Sequence, residues 1–198
     1  MAVSPEIEGA TRPRRRFTVE EYHRMAQAGV LGEDDRVELL DGEIVEMTPI
    51  GSAHASKVTR LTRMFVQQLD GRGVVWSQNP VRLDARNEPE PDLAILEPCE
   101  DDYADALPEP EDVLLIVEVA ESSPEADREV KVPLYAQAGI PAVWIVNLDD
   151  EVVEVFEEPD EEAGAYGVER VASGEDRLGV EGLGGVEASV GEIFGAGS

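Results

Sequence analysis

Val113-Leu114-Leu115-Ile116-Val117-Glu118-Val119 is a nearly continuous apolar run with one acid near its end. A run of this kind is the pattern of a central strand covered on both faces. Two shorter runs resemble it: Leu93 to Leu96, reached through the stiff Pro89-Glu90-Pro91, and Val143 to Leu148. Between Val119 and Val143, Ser122, Ser123 and Pro124 mark a turn with caps. Glu125 to Ala138 then reads as a helix despite Pro133, and Gly139 ends it. A helix in that place suits a right-handed crossover between parallel strands. The expected class is α/β or α+β, built on a mixed sheet.

Working outward, residues 1–16 read as a flexible leader, with Pro5, Gly9 and Pro13 ahead of the arginines Arg14 to Arg16. Residues 17–195 read as one domain. Thr18 and Glu21 have the spacing of a capping box, so a helix starts there and stops at Gly29. Arg36 to Met47 reads as a hairpin around Asp41-Gly42. Ser52 to Leu69 carries Val58, Leu61, Phe65, Val66 and Leu69 at helical spacing. Val74 to Trp76 and Val81 to Leu83 read as strands. Glu97 to Asp112 is an acidic, proline-bearing loop. Val152 to Phe156 reads as the hairpin partner of the Val143 strand, with an acidic turn from Glu157 to Gly164. Residues 165–198 read as short strands separated by glycines.

The formal net charge is -28, from 44 acidic and 16 basic residues, of which only Lys57 and Lys131 are lysines. Proteins that grip nucleic acid usually carry a basic stripe, so this balance argues against a polyanion partner unless basic residues are locally gathered. Arg60 and Arg63, or Arg82 and Arg86, are the candidates for such a rim. No apolar run reaches the roughly 20 residues of a membrane span. No apolar segment follows the basic start, so a secretory signal is not expected and a cytoplasmic protein is. Cys99 is the only cysteine, which excludes an intrachain disulfide or a cysteine zinc cluster.

Three ionisable residues stand where a packed core would otherwise have none. Asp92 opens the strand Leu93 to Leu96, Glu118 interrupts the central strand, and Lys131 lies on the helix that follows. A buried carboxylate costs several kcal/mol unless it is paired or binds a cation. Two carboxylates from neighbouring strands make a hard-oxygen site suited to magnesium or manganese. With an amine beside them, these are the parts for metal-assisted phosphodiester hydrolysis. Asp92 and Glu118 hold the metal, and Lys131 positions and deprotonates the attacking water. The plainer reading is an internal salt bridge, or three separately exposed charges.

Glu38, in Val37-Glu38-Leu39-Leu40, has two readings: inward and functional, or on the wet face of a hairpin strand. His54 is either a group supporting the site or a helix-start residue satisfied by backbone, the second being the commoner case. Tyr135 lies one turn after Lys131 and is expected to pack over it. Trp144 reads as core.

The ordered set of Phe17-Thr18-Val19-Glu20-Glu21-Tyr22, Val37 to Ile44, His54, Glu90-Pro91-Asp92-Leu93-Ala94, Ile116 to Val119, Asp127 to Lys131 with Tyr135-Ala136, Gly139-Ile140-Pro141 and Val143 to Val146 resembles a bacterial family. It is the Uma-type restriction endonuclease family, long catalogued as a domain of unknown function, within the PD-(D/E)xK nuclease superfamily. The resemblance covers about residues 17–150 and implies a restriction-endonuclease-like fold. It implies metal ligation by Asp92 and Glu118, with Glu38 in the same pocket. In the wider superfamily the lysine stands two residues after the glutamate. That position here is Ala120, and Lys131 fits a lysine moved to the following helix.

The reading that follows is a magnesium- or manganese-dependent DNA endonuclease, acting as a homodimer as many proteins of this fold do. Two alternatives remain: a catalytically silent nuclease-fold protein that serves as a binding or assembly module, and hydrolysis of a small nucleotide or phosphoester.

Overall fold

The computed structural model describes residues 14–32, 34–121, 127–180 and 182–195. Most of the expected leader, the Ser122 to Pro124 turn, the first two residues of the expected crossover helix and the end of the tail lie outside the described residues. The run that opens the sequence analysis is strand β5, Val113–Ala120. Among the described residues there are 10 strands: β1 is Val37–Leu40, β2 Glu43–Glu46, β3 Val74–Ser77 and β4 Leu93–Leu96. The others are β6, Ala142–Asn147, β7, Val152–Asp160, β8, Ala165–Ser173, β9, Arg177–Gly179, and β10, Glu187–Ser189. Strands β3 to β8 form one six-stranded sheet in chain order. Within it β5 and β6 are parallel and every other pair is antiparallel. The one parallel pair is the one spanned by the crossover, so the mixed sheet is as expected.

Alternation along β4 and β5 divides the interior. Leu93, Ile95, Leu115, Val117 and Val119 join the core under helix α2, Ser52–Leu69, which contributes Val58, Leu61, Phe65 and Leu69. Ala94, Leu96, Ile116 and Ala120 join the core under helix α3, Val132–Gln137, which contributes Val132, Tyr135 and Ala136. Full burial of each large apolar side chain contributes about 2 kcal/mol, so both faces help hold the sheet. Trp144 is fully buried in the α2 core, as expected.

Four features differ from the sequence reading. Val81 to Leu83 is not a strand: Val81 and Leu83 are buried, but their backbones bond only to Pro89 and Asn87 across a tight loop. Asp84 accepts from the Arg86 and Asn87 nitrogens and turns the chain before a ladder can form. The crossover helix is not uniform either. Asp127–Lys131 is a π-helical turn, and α3 begins only at Val132. Pro133 has no N–H to donate, so it sits in the first turn of α3, where that loss costs nothing. Strand β7 continues through Asp160, which narrows the acidic turn, because every second residue of its outer half faces water. The C-terminal region also holds a short helix, α4, Val190–Phe194, with a Ser189–Glu192 capping box.

Helix α1, Val19–Gln27, starts on the Thr18–Glu21 capping box. The hairpin β1–β2 reads as expected and is pinned at its tip. Asp41 and Gly42 both have positive φ, 47° and 70°. Phe17 N donates to Gly42 O at 2.8 Å, and Gly42 N donates to Arg86 O at 2.9 Å. A Cβ at Gly42 would meet the Phe17 carbonyl at 2.8 Å. Gly42→Ala is therefore expected to destabilise the protein by about 2 kcal/mol, read as a lower urea midpoint. An unchanged midpoint would contradict this account of the turn.

Candidate active site

Leu93 pairs with Val117 at the end of the antiparallel β4–β5 ladder. The next position outward sets Asp92 across from Glu118, and alternation places both on the α3 face. Asp92 reaches back over the ladder's end: its Oδ2 accepts from Val119 N at 2.8 Å and contacts His54 Nε2 at 2.9 Å. Asp92 N in turn lies 3.5 Å from Glu118 Oε2. Pro89-Glu90-Pro91 delivers Asp92 in extended backbone, and Gln78 N fixes its carbonyl at 3.1 Å.

The π turn and α3 bring the other groups from above the sheet. Glu118 Oε1 accepts from Tyr135 Oη at 2.7 Å and from Lys131 Nζ at 3.3 Å. Lys131 Nζ also lies 3.2 Å from Glu38 Oε2. Glu38 is buried, its Oε2 accepts from Glu90 N at 3.1 Å, and the backbones of Leu39 and Glu88 bond to each other. The hairpin is thus anchored to the segment that leads into Asp92. Glu38 points inward, not to the wet face, since a second layer covers the face that alternation alone would leave exposed.

Asp92, Glu118, Lys131 and Glu38 therefore meet in one cluster. His54 joins through Asp92 rather than through backbone. Tyr135 reaches past Lys131 to the carboxylate of Glu118. Two residues that the sequence reading gave no role are also present. Asp127, the first residue of the π turn, is half-buried and acts electrostatically with Lys131, Asp92, Glu38 and His54. Glu90 lies within the field of Glu38, Lys131 and Asp92. The signal for Asp127 was its spacing of four residues before Lys131, which places both on one helical face.

The cluster holds more negative charge than its cations neutralise. Burial pushes the Glu118 carboxyl up to about 8, against the pull of Lys131, and Asp127, Asp92 and Glu38 add to the rise. Burial likewise raises Asp127 and Glu90. Desolvation works against the charge on Lys131, but Glu118, Glu38 and Asp127 outweigh it and hold its pKa above the usual lysine value. Lys131 is thus paired at once with the carboxylates of Glu38 and Glu118. His54 is raised by its hydrogen bond to Asp92, with desolvation opposing.

Asp92 and Glu118 offer the hard oxygens that magnesium and manganese take. Among the described residues, no three His, Cys, Asp or Glu side chains converge into a closed metal cage. A cation held by two carboxylates would keep part of its shell as water, which is magnesium's ordinary habit. The donor set fits such an ion, and the surplus negative charge favours one.

A mixed sheet with helices on both faces, and paired acids at the end of two neighbouring strands, is a nuclease-like architecture. Residues 19–191 match the Uma2 family, described as "Putative restriction endonuclease", and the chain belongs to that family. The fold is similar to the crystal structure of "a putative nuclease belonging to DUF820" from Anabaena variabilis ATCC 29413. The TM-score is 0.70 at 13% identity, over 90% of this chain and 98% of that chain. No curated protein matches the chain. No helix among the described residues is long and apolar enough to cross a membrane.

A carboxyl with a raised pKa binds its proton more tightly in the folded state, so its stabilising effect is present below the unfolded value and lost as pH rises through the folded one. For Glu118 that window runs from its ordinary value of 4.5 to about 8. His54, also raised, acts in the same direction just above its ordinary 6.5. In EDTA, the melting temperature is expected to fall over this window. The fall should be smaller in Glu118→Gln and in millimolar magnesium, as differential scanning fluorimetry would show. A melting temperature that holds level, or the same fall with and without metal, would contradict the electrostatic reading.

Proposed function

We propose that the protein is a metal-dependent endonuclease that hydrolyses DNA phosphodiester bonds. What supports this reading is the placing of Asp92 opposite Glu118 at the end of the β4–β5 ladder, the Asp92 N–H reaching the Glu118 carboxylate, with Lys131 bonded to Glu118 and Glu38. Family membership supports the same class. In this reading Asp92 and Glu118 hold magnesium or manganese. Such an ion, when bound, polarises the phosphoryl group and lowers the pKa of a coordinated water.

The chain's own residues do the rest. The Lys131 ammonium, pinned by Glu38, offers a positive charge to a phosphoryl oxygen or orients the attacking water. Tyr135 donates to Glu118 and holds its rotamer. His54 and the Val119 N–H fix Asp92. The excess of carboxylates provides an acceptor for the proton released by the water. As a homodimer, the protein would offer one such site to each strand of a duplex.

The net charge of -28 favours a second reading, a catalytically silent nuclease-fold module that binds or assembles with a basic partner. The two part on one experiment: plasmid DNA with the purified protein and magnesium or manganese. The endonuclease reading expects nicking or linearisation that EDTA stops and Asp92→Ala abolishes. His54→Ala and Tyr135→Phe should slow it by about 10- to 100-fold, as losses of supporting contacts to ligands do. Absence of cleavage with either metal, or full activity in Asp92→Ala, would overturn it.

A further inference from the structure

Helix α2 is out of keeping with the rest of the chain. Against 44 acidic residues in 198, its 18 residues hold no Asp or Glu, but do hold Lys57, Arg60 and Arg63. Arg72 follows just beyond its end. Outside α2, Arg82, Arg128, Arg170 and Arg177 each carry a carboxylate partner, whereas Arg24, Arg36 and Arg86 have no carboxylate within ion-pair distance among the described residues. No carboxylate stands within ion-pair distance of the four cations along α2, among the described residues. Three of them serve the C-terminal segment through neutral carbonyl oxygens. Lys57 donates to Ile193 O, Arg60 to Glu192 O and Arg72 to Gly184 O. Those bonds hold the segment in place and leave the positive charge uncancelled. Burial lowers the pKa of Lys57 and Arg60 adds to the fall, with Glu151 opposing.

Arg63 has no partner among the described residues. It lines a shallow cavity of about 290 Å³ with Ala55, Ser56, Thr59 and Arg60. The lining is small side chains, hydroxyls and guanidinium groups, the set that contacts phosphate oxygens. The same helix starts at the site, where His54 meets Asp92. Arg63 lies about 13 Å further along the axis, beyond the reach of a single nucleotide seated at the carboxylates. The other candidate rim is weaker, because Arg82 is tied to Glu20.

We propose that the exposed face of α2, through Ser56, Thr59, Arg60 and Arg63, seats the phosphodiester backbone of duplex DNA along the helix that starts at the cleavage site. The proposal rests on the endonuclease reading and specifies a polymer rather than a small phosphoester. It also answers the charge objection: the acid-free helix α2 offers a basic seat on a chain whose surface otherwise repels DNA.

The test is fluorescence anisotropy with a labelled duplex, without divalent metal, across a range of salt. Arg63→Glu removes no contact among the described residues, so it spares the fold. It is expected to weaken binding by about 10-fold and to reduce the slope of log affinity against log salt by about 1. The same charge change at Arg24→Glu, on α1, should leave affinity within about twofold. Unchanged affinity and slope in Arg63→Glu would overturn the proposal. So would a change of oligomeric state in that variant with DNA affinity intact, since the face would then belong to a second copy of the chain. Hydrolysis of bis(p-nitrophenyl) phosphate by a protein with no duplex affinity would also sink the proposal while sparing the phosphodiesterase chemistry. DNA binding through Arg63 without any cleavage would do the reverse.

Discussion

A buried carboxylate near the end of the most apolar strand must be compensated, and that requirement organises its surroundings. Glu118 is nearly inaccessible, with a relative exposure of 3%. Its partners come from two directions: Tyr135 and Lys131 from the helix above, and the Asp92 N–H from the neighbouring strand. Lys131 in turn needs a second acid, and the hairpin supplies Glu38. A hydrophobic residue at position 118 would relieve the fold of all these needs. The molecule instead surrounds the first acid with more acids than it has cations to match. That surplus is costly for stability and useful for holding a divalent ion.

Each structural layer has a part in this. The β4–β5 ladder fixes the two acids by register, and a shift of one residue would turn them to opposite faces. The α2 core anchors that ladder from below and also places His54 against Asp92. The π turn and α3 cover the cluster from above. The hairpin, tied at Gly42 to Phe17 and Arg86, carries Glu38 into it. Rigidity of this sort is what a site needs if its side chains are to stay within bonding distance of a reacting phosphate.

Much of this was legible in the sequence, for physical reasons that differ by element. The strand Val113 to Ala120, helix α2 and the Asp41-Gly42 hairpin follow from strong local patterns, and their bounds came out within a residue or two. Asp92 and Glu118 were legible because charge inside apolar strands is conspicuous. Glu38 was ambiguous because alternation tells which residues share a face, not what covers that face. Asp127 went unassigned because, Lys131 apart, the charges around it, Asp92, Glu38 and His54, come from segments distant in sequence. The Val81 to Leu83 loop was misread because two apolar residues around an arginine fit a strand, while the Asp84 turn contacts that bend it are invisible to periodicity. The double pairing of Lys131 with Glu118 and Glu38 was not legible, because it exists only in three dimensions.

The central claim is that Asp92 and Glu118 together form a seat for one divalent cation. Crystals grown metal-free and soaked in manganese would test it by anomalous diffraction. The account expects a single strong peak within bonding distance of both carboxylates. Clean density with no peak there, or manganese bound only at the acidic surface loops, would contradict it.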